Sequence, residues 1–242
     1  MRGLFITSVG TGIGKTLITT ILCHQLRDQG RAVTALKPVV SGFSSDDPTS
    51  DPALILRSLG REPTPAAIGE IAPWRLERPL SPHLAARLEG RPLSIDEVAG
   101  FCKDRDYPDE TILLVEGAGG VMTPLDATHT VLDLIVRVGI PAVLVTGSYL
   151  GALSHTLTAL FALRVSGVPV QGIVVSESVE SAGFTETVES LRGFAGGETS
   201  VHALPRLAGD DQAKWSAAPS LTGLCDIHQA GCNPSTKVRH NE

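Results

Sequence analysis

The sequence contains no long apolar run and no excess of basic residues. None of its apolar stretches approaches the roughly 20 residues needed to cross a bilayer, so no membrane span is predicted. Lys and Arg number 20 against 26 Asp and Glu, for a formal net charge of -6. A chain without a positive field does not attract nucleic acid by counterion release. We therefore expect a cytoplasmic protein that acts on neither nucleic acid nor membrane.

Cysteine is also scarce in the 242 residues. Its four positions are Cys23, Cys102, Cys225 and Cys232, and no two of them form a C-x-x-C pair, so no disulfide framework is expected. The one set with metal-like spacing is Cys225, His228 and Cys232. Because structural zinc sites normally close with four ligands, a zinc site there is not favoured.

Short apolar segments rich in β-branched residues alternate with helix-sized segments. The strand-like segments are residues 3–9, 32–36, 111–115, 142–146 and 171–176, and the helix-like ones are 15–29, 129–138 and 154–166. Nearly continuous apolar strands are typical of parallel sheets that are buried on both faces. The pattern predicts a three-layer α/β fold of the P-loop type, with a mostly parallel sheet, helices on both faces and ligands at the carboxyl ends of the strands.

The chain is long enough for one sizeable domain. We expect a single domain over residues 1–216, with an insertion at about 44–109 that carries short helical patterns at 53–59 and 83–88. Residues 217–242 mix Pro, Gly, Ser and isolated charges without periodicity. They are expected to form a flexible tail.

A glycine-rich phosphate loop is predicted after the first strand. Residues 8–16 read SVGTGIGKT, and the glycines allow successive amide groups to point inward at phosphate oxygens. Lys15 is expected to reach the β- and γ-phosphates, and the Thr16 hydroxyl to bind Mg²⁺. Val9 stands where the usual pattern has glycine, so the loop is a variant. Its position between strand and helix still predicts that the loop binds a nucleoside triphosphate, and ATP is the nucleotide that we expect.

Charged residues follow two other predicted strands. Lys37 and Ser41 come after the second strand, and Glu116 ends the strand LLVE before Gly117, Ala118, Gly119 and Gly120. A cation beside the phosphate loop suits phosphoryl transfer, and a carboxylate at a strand end can bind Mg²⁺ opposite Thr16. As a strand-end lysine, Lys37 is expected to matter far more for turnover than for folding.

Five segments in order resemble the dethiobiotin synthetase family. They read FITSVGTGIGKT, LKPVVSG at residues 36–42, LSPHLAA at 80–86, LLVEGAGGVMTPL at 113–125 and YLGALSHTL at 149–157. The resemblance implies that CO₂ (or bicarbonate) converts one amine of 7,8-diaminononanoate into a carbamate, that MgATP phosphorylates it, and that the neighbouring amine closes a ureido ring. It also implies a homodimer in which the loop at residues 147–154 completes the pocket across the interface.

The same resemblance implies roles for particular residues. The catalytic residues would be Lys37, Lys15 and Thr11, and the metal ligands Thr16, Asp51 and Glu116; capping of the following helix would explain Asp51 equally well. The nucleotide would contact Gly12, Ile13, Gly14, Lys15, Thr16, Leu17, Asp51, Glu116, Gly117, Ala118, Gly119, Ser176, Glu177, Pro205, Arg206 and Leu207. The substrate would contact Ser41, Pro82, Gly151, Ala152, Leu153 and Ser154.

Departures from the family pattern leave alternatives open. Ser176 and Glu177 stand where the family often has Asn and Asp, and a serine lacks the paired amide donor and acceptor that read adenine. Base selectivity is then either relaxed or achieved by backbone near residues 205–207. Two other functions are considered: a related P-loop ligase or kinase with another acceptor, and a partitioning ATPase. The latter usually has a lysine early in the phosphate loop, where this chain has Gly10.

Overall fold

The computed structural model describes residues 2–197 and 199–226 of the chain. Its strands are β1 (Gly3–Ser8), β2 (Val33–Leu36), β3 (Val39–Ser41), β4 (Trp74–Leu76), β5 (Ile112–Glu116), β6 (Ala142–Thr146), β7 (Val170–Ser176) and β8 (Ser200–Leu204). Its helices are α1 (Lys15–Asp28), α2 (Asp51–Ser58), α3 (Pro65–Ile71), α4 (Pro82–Leu88), α5 (Ile95–Lys103), α6 (Val131–Val138), α7 (Ala152–Val165), α8 (Phe184–Phe194) and α9 (Asp211–Ala217). A short 3₁₀ turn spans Thr222–Cys225.

Six parallel strands form the central sheet in the order β2-β5-β1-β6-β7-β8. All residues of β1, β5 and β6 are buried, because helices cover both faces. This agrees with the continuous apolar character of these segments. The predicted fold class is confirmed. Since all six strands run the same way, the residues that follow β1, β2 and β5 meet at one edge of the sheet.

The strands and helices predicted from periodicity occur within one or two residues of their predicted bounds. The elements that were not predicted are short or mixed in composition: α3, α5, α8, α9, β8 and the two-stranded parallel pair β3 and β4. Strands of three residues are too short to show a period of two. Together with α2 and α4, the pair β3 and β4 lies in the segment between β2 and β5.

The predicted flexible tail is wrong for residues 217–226. Leu221, Leu224 and Cys225 are buried in the core. The Gln25 side chain on α1 accepts from the Leu221 amide at 2.9 Å and donates to the Pro219 carbonyl at 3.0 Å. An irregular segment can pack when side chains of a neighbouring helix satisfy its backbone, and such a segment leaves no periodic signal. Residues 227–242, with His228 and Cys232, lie outside the described residues.

Candidate active site

The phosphate loop connects β1 to α1 and turns on two glycines. Gly12 and Gly14 have φ values of 73° and 105°, in the left-handed region that glycine adopts without strain. Helix α1 begins at Lys15, whose ammonium lies over the loop, 3.0 Å from Ser8 Oγ and 3.1 Å from the Gly10 carbonyl. Burial, together with the nearby charge of Lys37, lowers the pKa of Lys15 to about 8. A bound phosphate would favour the charged ammonium in this position.

Four predicted residues meet where β1, β2 and β5 end. The Thr16 hydroxyl lies 2.8 Å from Asp51 Oδ1 and 2.8 Å from Glu116 Oε1. The Lys37 ammonium lies 2.6 Å from Glu116 Oε1, 3.1 Å from Asp51 Oδ2 and 3.2 Å from the Gly117 carbonyl. Residues that are 100 positions apart in sequence, Thr16 and Glu116, are thus in direct contact.

Lys37 is buried, with 4% of its side chain exposed, and it faces a carboxylate that is 0% exposed. Burial acts to lower the pKa of Lys37, but the charges of Glu116 and Asp51 outweigh it and raise the pKa above its ordinary value. Lys37 therefore remains charged and is the counter-ion of a buried glutamate. The sequence predicts that Lys37 contributes far more to turnover than to folding. Its burial against Glu116 leads us to expect a loss of stability as well, because removing Lys37 would leave the buried Glu116 carboxylate without its cation.

Asp51 does not cap α2. The N-cap residue of α2 is Ser50, and Asp51 is the first helical residue, with its carboxylate directed at Thr16 and Lys37. Burial acts to raise the pKa of Asp51, but Lys37 and the Thr16 hydroxyl together hold the pKa below its usual value. The carboxylate is therefore ionised and faces the loop, which fits the predicted role better than helix capping does.

The donor set at this position fits a magnesium ion. Two carboxylates and one hydroxyl, from Asp51, Glu116 and Thr16, converge, and Mg²⁺ prefers oxygen ligands of this kind. Glu116 Oε2 is buried and has no hydrogen-bond partner among the described residues. A buried carboxylate oxygen without a partner is costly, and a cation would satisfy it.

A cavity of about 790 Å³, the main cavity, opens beside these residues. Twelve predicted site residues line it: Thr11, Gly12, Gly14, Lys15, Thr16, Lys37, Ser41, Asp51, Pro82, Glu116, Ala118 and Gly119. The sequence analysis missed seven further lining residues: Val39, Val40, Pro79, Leu80, Ser81, Thr123 and Pro124. Six of them lie inside the recognised segments and Pro79 directly precedes one, so membership of those segments was the available signal.

A second cavity of about 310 Å³, the base cavity, extends from Thr16 along the ends of β7 and β8. It contains the predicted residues Leu17, Ser176, Glu177, Pro205, Arg206 and Leu207. Glu177 Oε2 accepts from the Arg206 amide at 2.9 Å, so this carboxylate holds the loop after β8 in place. Lining residues that were not predicted are Thr20, Leu54, Asp211, Lys214 and Trp215.

The remaining predicted residues do not line the main cavity. Ile13 lies with Tyr149 in a neighbouring cavity of about 410 Å³, which shares Gly12 and Gly14 with the main cavity. Gly117 lies against the core, where a Cβ would come 2.9 Å from the Phe5 ring. Gly151, Ala152, Leu153 and Ser154 form the start of α7 and line none of these three cavities of the single chain.

The loop that leads to α7 is fastened to the loop that follows β7. The Ser148 amide donates to Ser178 Oγ and the Ser178 amide donates to Ser148 Oγ, both at 3.0 Å. The Ser148 hydroxyl also lies 2.8 Å from Ser181 Oγ. This reciprocal pair fixes the start of α7 relative to Ser176 and Glu177 at the base cavity.

Comparisons with known proteins identify the family. A family model described as "AAA domain" matches residues 2–209. The ATP-dependent dethiobiotin synthetase BioD of Caulobacter sp. (strain K31) is 47% identical over 203 residues, covering 81% of this chain and 85% of the relative. The protein of the same name from Caulobacter vibrioides (strain NA1000 / CB15N) is 44% identical over 226 residues, covering 93% and 99%. The cell division ATPase MinD of Pyrococcus furiosus, at 19% identity, 80% coverage of each chain and a TM-score of 0.47, supports no inference. The chain belongs to the ATP-dependent dethiobiotin synthetase family.

Proposed function

We propose that the chain is an ATP-dependent dethiobiotin synthetase. It would convert 7,8-diaminononanoate, CO₂ and ATP into dethiobiotin, ADP and phosphate, a ring-forming carbon–nitrogen ligation in biotin synthesis. The observation that carries this proposal is the cluster of Thr16, Lys37, Asp51 and Glu116 beside the phosphate loop. It provides cationic, carboxylate and hydroxyl groups where a triphosphate would end, in a chain whose relatives carry this name.

The nucleotide would extend across two connected cavities. Amides of the phosphate loop and the Lys15 ammonium would bind the phosphates, and the base would enter the base cavity near Ser176 and Pro205. Thr16, Asp51 and Glu116 would hold Mg²⁺, and the bound ion would neutralise part of the negative charge of the triphosphate. Trp215 and Leu17 would supply apolar surface around the base.

The second substrate would lie in the main cavity next to Lys37, Thr11 and Ser41. A carbamate oxygen attacks the γ-phosphorus, and the bond to the ADP oxygen breaks. The neighbouring amine nitrogen then attacks the carbamoyl carbon, the bond from that carbon to the phosphate oxygen breaks, and the amine loses a proton. Lys15 and Lys37 would stabilise the negative charge that develops, and holding both amines in one cavity makes ring closure intramolecular.

We further propose that the main cavity is completed by a second copy of the chain. Exposed apolar side chains lie on the outer face of α7 and two residues before it. They are Leu150 (90%), Leu153 (36%), Phe161 (69%) and Val165 (70%). A second exposed apolar row lies on and before α4, at Leu80, Leu84 and Leu88, and Leu80 also lines the main cavity. Pairing these rows across a two-fold axis would bury both and place the start of the partner's α7 near the main cavity. A cytoplasmic location remains a prediction from the sequence.

One experiment tests the reaction directly. Purified protein is incubated with 7,8-diaminononanoate, ¹³C-bicarbonate and MgATP, and the products are identified by mass spectrometry. We expect a cyclic urea that carries one ¹³C, together with ADP and free phosphate. A stable phosphorylated product would identify a kinase instead, and ATP consumption without ¹³C incorporation would refute the proposal. Lys37→Met serves as the inactive control.

A further inference from the structure

A separate cavity of about 330 Å³ lies beside α4, and we call it the α4 cavity. Its volume is within the range of pockets that bind small molecules. Ala86, Leu93 and Leu125, all nearly fully buried, contribute an apolar lining. None of the residues assigned above to the nucleotide, the metal or the substrate lines it.

Two cationic or hydrogen-bonding side chains also line this cavity. They are Arg87 and His83, one helical turn apart on α4. Within residues 2–197 and 199–226, neither side chain has a hydrogen bond or an ion pair. A guanidinium beside an apolar lining and without a partner is positioned to bind an anion, because its rigid fork of donors matches a carboxylate.

Asp126, the acidic residue that lines the cavity, already accepts hydrogen bonds from neighbouring groups. Its side chain is 11% exposed, and its oxygens accept from the amides of Ile95 at 3.2 Å, Thr128 at 2.9 Å and His129 at 2.8 Å. His129 Nδ1 lies a further 3.0 Å from the same carboxylate. Partial burial acts to raise the pKa of Asp126, but these donors outweigh it and hold the pKa below its usual value. Asp126 is therefore ionised, and its oxygens are held by these donors and not by Arg87, which leaves the guanidinium available.

We propose that the α4 cavity is a binding site for a small aliphatic carboxylate. The guanidinium of Arg87 pairs with the carboxylate, His83 adds a second donor, and the apolar lining accepts the hydrocarbon part. Inorganic phosphate would use the Arg87 guanidinium but not the apolar lining, and an alcohol would use the lining but not the guanidinium. The site therefore distinguishes an aliphatic carboxylate from either of them.

The α4 cavity shares its wall with the main cavity. Pro82 and Pro124 line the main cavity, and the next residues in the chain, His83 and Leu125, line the α4 cavity. The His83 amide donates to the Pro124 carbonyl at 3.3 Å, which joins the two segments of this wall. A molecule in the α4 cavity therefore contacts the same segments that line the main cavity.

The test is a titration of the full chain, saturated with MgADP, with sodium hexanoate. Methyl resonances of Leu93 and Leu125 report on the α4 cavity, and those of Val39 and Val40 report on the main cavity. We expect saturable shifts at Leu93 and Leu125, and affinities for hexan-1-ol and inorganic phosphate that are weaker by roughly tenfold or more. Shifts confined to Val39 and Val40, or no saturable shift, would overturn the proposal.

Two variants and a control complete the test. Arg87→Gln should weaken hexanoate binding by roughly tenfold or more, while Arg87→Lys should retain part of it, since the charge is kept. Arg192→Gln, an exposed arginine on α8, should leave the affinity unchanged. Because Arg87 is itself exposed, the folded structure should persist in both variants. Equal hexanoate affinity in Arg87→Gln and the unmodified protein would contradict the proposed role of the guanidinium.

Discussion

Gly120 lies against the backbone of the phosphate loop, so close that a Cβ at Gly120 would come 2.9 Å from the Gly10 amide nitrogen and 3.0 Å from the Val9 carbonyl carbon. The Val121 amide next to it donates to the Ser8 carbonyl at 2.9 Å. The loop after β5 thus sets the position of the phosphate loop after β1. The absence of a side chain at Gly120 is what permits this close approach.

Gly120→Ala should lower kcat/KM for ATP by roughly 100-fold, because a shift of about 1 Å in a positioning loop can have an effect of that size. Calorimetry with ADP should show weaker binding as well. Gly193→Ala is the matched control: it lies in α8 with no atom within 4 Å of an added Cβ, and activity should not change. Normal ADP affinity in Gly120→Ala would show that the phosphate loop tolerates the displacement.

Lys37→Met should impair both turnover and folding. We expect kcat to fall by at least about 100-fold through loss of charge stabilisation, and the free energy of unfolding to fall by about 3–5 kcal/mol because Glu116 loses its buried partner. The double variant Lys37→Met/Glu116→Gln should recover most of the stability and none of the activity. Chemical denaturation and steady-state kinetics measure the two effects, with Lys103→Met on the exposed end of α5 as the control. Full stability of the single variant would contradict a buried ion pair.

Thr16→Ala and Thr16→Ser separate the hydroxyl from the rest of the side chain. Thr16→Ala should raise the Mg²⁺ concentration for half-maximal activity by about tenfold or more, since contacts to charged groups contribute about 1.5–3 kcal/mol. Thr16→Ser keeps the hydroxyl, so its Mg²⁺ concentration for half-maximal activity should stay close to that of the unmodified protein. Chelation of Mg²⁺ by EDTA should abolish turnover in all three. An unchanged Mg²⁺ requirement in Thr16→Ala would remove Thr16 from the ligand set.

Phe161→Glu should dissociate the proposed dimer. The substitution places a charge in the exposed apolar row of α7, where a second copy would exclude water. Light scattering after gel filtration should give the mass of one chain, and turnover should fall because residues 151–154 of the partner would be lost. Thr185→Glu, an exposed position in the first turn of α8, should remain dimeric. A fully active monomer would show that one chain completes its own cavity.

His202 on β8 should make stability depend on pH between neutral and mildly acidic conditions. Partial burial, with a smaller contribution from Arg192, lowers the pKa of His202 below its ordinary value of 6.5. The unfolded chain therefore binds this proton more readily than the folded one, so stability is lost as pH falls below about 6.5. His202→Gln should show a smaller decrease in urea midpoint from pH 7.5 to 5.5. An equal decrease of the urea midpoint in His202→Gln and in the unmodified protein would show that His202 is not the source of the pH dependence.

Most features that depend on neighbouring residues in the sequence were predicted correctly, and several features that depend on contacts between distant segments were missed. The phosphate loop was visible because strand, glycines, Lys15 and helix lie within 26 residues, and each carries a local preference. Lys37 and Glu116 could be placed at one edge because parallel strands end together. Trp215 and Lys214 were missed at the base cavity because α9 has seven residues and shows no period, and only packing on α1 brings it there.

The sequence by itself determined the α/β class, the phosphate loop and the identity of the charged residues at the strand ends, since periodicity, glycine preference and side-chain chemistry are local properties. The tertiary structure alone decided that Lys37 is buried against Glu116, that Asp51 faces Thr16 and that Gly120 touches the phosphate loop. It also placed Leu221, Leu224 and Cys225 in the core. These contacts join segments that are far apart in the chain. Their energies depend on burial, and the side chains become buried only when the chain folds.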